Sequence, residues 1–69
     1  MRYSELTRKL RRLACESVRP GRGGHELWRR PATGAYTTIP NHGGQDIGKP
    51  LLHANLCDLG LNESDLEGV

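Results

Sequence analysis

Sixty-nine residues, with ten lysines and arginines against eight aspartates and glutamates, make one small domain near the size at which a single core barely suffices. No apolar run reaches the roughly 18 residues of a membrane span, and the first residues, carrying Arg2, Glu5, Arg8 and Lys9, lack the apolar stretch of a secretory signal. The net charge of +2 hides an asymmetry: residues 1–30 carry +6 and residues 31–69 carry −4, so the first half is the natural surface for a polyanion, although a solvated basic helix face would look the same.

Ser4 reads as an N-cap. Leu6, Leu10 and Leu13 then form one apolar stripe on a helix ending near Ala14, with Arg8, Lys9, Arg11 and Arg12 mostly off that stripe. Residues 16–19 read as a short strand, stopped by Pro20-Gly21. Gly21, Gly23 and Gly24 then make a loop whose backbone amides have room to approach a phosphate. Residues 25–29 and 35–40 are the second and third strands, joined by a five-residue hairpin loop, Arg30-Pro31-Ala32-Thr33-Gly34. With Arg29 opposite Ala35, the alternation puts His25, Leu27, Thr37 and Ile39 on one sheet face. Glu26, Trp28, Tyr36 and Thr38 fall on the other, where Trp28 and Tyr36 read as a cross-strand aromatic pair, base stacking being the alternative.

Residues 41–46 are rich in turn formers. Pro50 suits the first turn of a second helix, with Leu51, Leu52, Leu56 and Leu59 as its buried side and Gly60 as the residue after its cap. Asn62 with Asp65 caps one last turn through Leu66, so residues 62–69 are a frayed tail or a helical turn. The expected fold is α+β in the order α-β-β-β-α: a three-stranded antiparallel sheet with both helices packed on one face, in one domain spanning residues 1–69.

Cys15 and Cys57 are far apart and in no Cys-x-x-Cys spacing. They read as two small buried thiols of a cytoplasmic protein, with a disulfide between them left open. With His25, His42 and His53 they offer no pair at the short spacing of a tetrahedral site, so no metal is expected. Neither glycine cluster is followed by Gly-Lys-Ser/Thr, which excludes a nucleotide P-loop.

Gly24-His25-Glu26-Leu27-Trp28 and Ile39-Pro40-Asn41-His42-Gly43-Gly44, set in this order of elements, resemble the HicA toxin family. The likeness runs from Tyr3-Ser4-Glu5-Leu6 through the glycine loop, Pro31-Ala32-Thr33-Gly34, Thr37-Thr38-Ile39-Pro40 and Asp46-Ile47 to Leu59-Gly60. It implies a fold like that of double-stranded-RNA-binding domains and an mRNA interferase, a metal-independent endoribonuclease without cofactor, inhibited by a HicB-like antitoxin. It also implies that His25 is catalytic, moving the proton of a ribose 2′-hydroxyl. Histidine suits that task because its unperturbed pKa of about 6.5 lies near working pH.

Arg8, Arg11, Arg12, Arg22 and Arg29, with the Gly23 and Gly24 amides, are the expected RNA contacts, and His42 is a possible second acid–base group or RNA contact, or a loop staple. The chain departs from its relatives in two places. Gly24 replaces the serine that usually precedes the histidine, and residues 51–59 lack the lysines and arginines of the relatives' second helix. A non-catalytic RNA-binding module, or an inactive toxin that still binds an antitoxin, is the alternative reading; oligomeric state and cleavage preference are not encoded in these patterns.

Overall fold

The structure, a computed structural model, describes residues 1–20, 24–41 and 46–69. Its elements run α1 (Tyr3–Arg12), β1 (Glu16–Pro20), β2 (His25–Arg30), β3 (Ala35–Pro40), α2 (Lys49–Asp58) and a closing 3-10 turn (Glu63–Leu66). The strands form one antiparallel sheet in the order β1-β2-β3. This is the α-β-β-β-α arrangement that the apolar spacing predicts.

Both helices bury their stripes against the same side of the sheet. Leu6 and Leu10 of α1 and Leu52 and Leu56 of α2 meet Trp28 and Ile39 in the core. Tyr3 and Arg11 bring α1 over β2, since Trp28 Nε1 donates to the Tyr3 hydroxyl at 3.3 Å and the Arg11 guanidinium lies 5.1 Å from the indole centre. On the other flank Thr37 of β3 donates to Asp58 of α2 at 2.8 Å. Both helices end alike. The N–H of Cys15 bonds back to Leu10 and that of Ala14 to Arg11, and Leu61 and Gly60 repeat the pattern on Leu56 and Cys57. This is the Schellman closure, which needs a left-handed residue just past the cap. Gly60 (φ +71°) supplies it after α2, as its position in the sequence suggests, whereas Ala14 (φ +63°) supplies it after α1 at a steric cost.

Several expectations need correction. Ser4 lies inside α1: the N-cap is Arg2, without a side-chain cap bond, because the preceding backbone is engaged elsewhere. Arg2 bridges to Asp46, and Ile47 N–H donates to Met1 O at 2.8 Å. Leu51 is 42% exposed, and Asn55 takes its place on the buried side; positions 52, 55, 56 and 59 share one helical face and 51 does not. Cys57 is exposed rather than buried, while Cys15 is buried, and both are free thiols. The tail is not frayed. Asn62 and Asp65 form the expected capping box, Leu66 enters the core, and Lys9 Nζ donates to Leu66 O and Val69 O, each at 3.0 Å.

The largest correction is the hairpin register. Arg30, not Arg29, pairs with Ala35, so the loop is only Pro31-Ala32-Thr33-Gly34, closed by Thr33 and Gly34 N–H groups on the Arg30 carbonyl. One residue of slip turns β2 over. Trp28 therefore faces the helices, fully buried, and Leu27 takes the other side. The indole is the larger apolar group, and its N–H finds a partner inside. Arg30 completes the preference, donating to Leu59 O at 3.1 Å and Gly60 O at 3.4 Å at the C-terminal end of α2. Trp28 and Tyr36 are thus on opposite faces and do not form a pair.

Candidate active site

His25 is the first residue of β2, exposed, and opposite Pro40. The register that turned β2 over moves it from the expected core side to the face that neither α1 nor α2 covers. Contacts place Glu26, Trp28 and Arg30 toward the helices, so the alternation of the strand puts His25, Leu27 and Arg29 together on the open side. Across the strands that row meets Arg19 opposite Leu27 and Glu16 opposite Arg29 on β1, and Tyr36 opposite Arg29 on β3. Arg29 Nη1 lies 3.9 Å from Glu16 Oε1, with both side chains about half exposed, so the pair holds little energy.

The backbone entering His25 is held from two sides. Gly24 has φ +81°, a conformation that L side chains avoid, and its carbonyl accepts from the Asn41 N–H just after β3. Behind it, Glu26 gathers three elements. Tyr3 of α1 donates its hydroxyl to Glu26 Oε2, Ser17 of β1 reaches the same oxygen at 3.5 Å, and Asn41 donates to Oε1 at 3.4 Å. Burial and the Glu26 hydrogen bond push the Tyr3 phenol up to about 12. Sequence reasoning missed Glu26, because its partners are 9 to 23 positions away and no local spacing marks them.

The other expected contacts are scattered. Arg8, Arg11 and Arg12 are exposed on α1, in the layer across the sheet from His25, and Arg11 is engaged over Trp28. Arg22, Gly23 and His42 lie outside the described residues. His53 and Cys57 meet on the exposed side of α2 at 3.5 Å, but among the described residues no three groups are placed to hold a metal ion. Between α1 and the closing turn lies a cleft of about 250 Å³, walled by Glu5, Glu63 and Glu67 as well as Lys9. Three carboxylates make it a poor seat for a phosphate. No helix among the described residues is long and apolar enough to cross a membrane.

The described residues thus place His25 at the end of a pinned strand, on the sheet face that neither α1 nor α2 covers, in one row with Leu27 and Arg29. Compared with known protein families, residues 3–61 match the family described as HicA toxin of bacterial toxin–antitoxin. The chain belongs to that family. It is therefore the toxin of a toxin–antitoxin pair, with an antitoxin as its implied partner. No curated protein and no solved structure matches it.

Proposed function

We propose that this toxin is an mRNA interferase, a metal-independent endoribonuclease in which His25 acts on the ribose 2′-hydroxyl, and that a HicB-like antitoxin inhibits it by covering that site. The observation that supports this best is the exposure of His25 on the helix-free side of the sheet, on a backbone fixed by Gly24 and by the Glu26 network. A general base must be reachable by substrate yet held in place.

In the reaction, the imidazole of His25 takes the 2′-hydroxyl proton and the 2′-oxygen forms a bond to the adjacent phosphorus. The P–O5′ bond breaks, leaving a 2′,3′-cyclic phosphate and a 5′-hydroxyl. In-line attack puts the leaving oxygen on the far side of phosphorus, so its proton comes from water or from a second acid such as His42. Arg22 and the amides of Gly23 and Gly24 are the groups close enough in sequence to meet the reacting phosphate. Arg29 is four residues further along an extended strand, about 13 Å away, and meets a neighbouring phosphate instead. No step asks for a metal ion.

His25→Ala tests the reading. Cleavage of single-stranded RNA should fall about 10²- to 10⁴-fold with the thermal midpoint nearly unchanged, and cleavage by the unaltered toxin should survive EDTA. A 2′-deoxy substitution at the scissile nucleotide should stop it. Full activity in His25→Ala, or activity lost with the chelator, would refute the assignment; RNA binding without cleavage would leave the non-catalytic module.

A further inference from the structure

We propose that the open sheet face carries a base-stacking subsite, with the Tyr36 ring as its platform, for a single-stranded RNA segment that runs along β2 from His25 toward Arg29. The inference rests on the ribonuclease reading above and adds the place where the substrate lies beside the reacting phosphate.

Tyr36 is 67% exposed, on the face that neither helix covers. A lone exposed tyrosine needs no explanation, but this one is placed in a pattern. It is the direct cross-strand neighbour of Arg29, which shares the row of His25 and Leu27. Arg19 stands across from Leu27 on the other flank. One aromatic plane with arginines beside it is the arrangement that holds single strands, the ring stacking on a base and the cations following the backbone. Among the described residues Glu16 is the one carboxylate that the alternation puts on this face, and its 3.9 Å pair with Arg29 is half exposed, so an incoming phosphate can replace it. His25 and Arg29 are about 13 Å apart along the strand, which separates the stacked base from the reacting phosphate by a short run of nucleotides.

The size of the face favours a nucleic acid strand over a protein. Three strands about 4.8 Å apart and about 17 Å long present roughly 250 Å², well below the roughly 800 Å² per partner of a stable protein interface, so an antitoxin that covers His25 must bury surface well beyond this face. Tyr36 is the exposed large apolar side chain that the strand pairing places on it.

The test is binding of an uncleavable strand, an oligoribonucleotide with every 2′-hydroxyl replaced by fluorine and with 2-aminopurine at one position in turn. Tyr36→Ala should weaken binding about tenfold or more, within the range that loss of a stacked base produces, while Tyr36→Phe and Tyr36→Trp retain it. The 2-aminopurine signal should be quenched at one position by the unaltered toxin and by Tyr36→Phe, and recover in Tyr36→Ala. Because the side chain is exposed, the alanine variant should keep its thermal midpoint. Equal affinity in Tyr36→Ala, absence of a quenched position, or no binding by the unaltered toxin would overturn the inference. So would a Tyr36→Ala variant that loses antitoxin affinity but not RNA affinity. The readout does not involve cleavage, so a failure of the His25 assignment is seen separately, in the activity of His25→Ala on cleavable RNA.

Discussion

Replacing Gly24 with serine would restore the residue that HicA relatives usually carry before their histidine, and it should destabilise this chain. At φ +81° a side chain meets its own backbone, a cost of about 1–2 kcal/mol. Relaxation is obstructed on the C-terminal side, because the Gly24 carbonyl accepts from Asn41 and the next residue is already paired with Pro40. In a domain of this size about 1 kcal/mol moves the midpoint by about 4–8 °C. Gly24→Ser should therefore melt roughly 5–15 °C lower. Gly24→Ala should fall as far, and Gly24→Asn less, since asparagine tolerates the left-handed region. Calorimetry or a circular-dichroism melt measures all three, and RNA cleavage well below the lowest midpoint then separates chemistry from folding. Any activity gained by serine over alanine belongs to the hydroxyl. A Gly24→Ser midpoint equal to or above that of the unaltered chain would refute the reasoning, since the backbone would then accept a side chain freely.

Ala14→Gly should act in the opposite direction. Relief of the φ +63° conformation outweighs the added freedom of the unfolded chain, for a net gain of about 0.5–1 kcal/mol in a urea titration; a loss would mean that the alanine methyl packs usefully. Arg30→Ala removes two hydrogen bonds to the Leu59 and Gly60 carbonyls just past α2 and should cost about 1–2 kcal/mol, with Arg30→Lys recovering part of it. The Tyr3 phenol, pushed up to about 12 in the fold, lies above its ordinary value of 10.0, so the fold prefers the neutral phenol. Its stabilisation is complete below pH 10 and is lost as pH rises from 10 to about 12. The stability difference between the unaltered chain and Tyr3→Phe should shrink across that interval, and a constant difference would remove the ionisation from the account.

The order of elements was legible because each carries its own local signal: leucines at helical spacing, Gly60 after α2, Asn62 before Asp65. What was not legible depends on competition between distant groups. The five-residue loop and the four-residue loop differ only in whether Arg30 pairs with Ala35. That choice is made by contacts with Leu59, Gly60 and Tyr3, 25 to 30 positions away. Its consequence reached the site, since the same slip carried His25 and Leu27 to the open face and Trp28 into the core. His25 became the candidate through the family resemblance, whereas Glu26, which ties α1, β1 and the end of β3 together behind it, gave no sequence signal. Arg8, Arg11 and Arg12 were read correctly as exposed, but Lys9 is half-buried, held by the Leu66 and Val69 oxygens, and Arg11 lies over the indole.

That leaves Arg8 and Arg12 as the uncommitted cations at the outer side of α1, and their position limits what they can do for a substrate bound near His25. The body of α1 is about 10 Å across, and the sheet lies between it and the open face. The screening length at 0.1 M salt is also about 10 Å. A strand seated beside His25, Leu27 and Arg29 is therefore too far from Arg8 and Arg12 for direct contact, and a longer RNA reaches them only by wrapping around the β1 edge past Arg19. Binding should consequently depend on substrate length. For a long single-stranded RNA, Arg8→Gln with Arg12→Gln should flatten the dependence of log K on log[salt] by about 1.4, two contacts at about 0.7 each. For a tetranucleotide that fills the open face alone, the same double variant should leave the slope unchanged, while Arg29→Gln should reduce it by about 0.7. Equal flattening on the short and the long substrate would mean that RNA lies along α1 from the start, and that the open face is not where the strand is held.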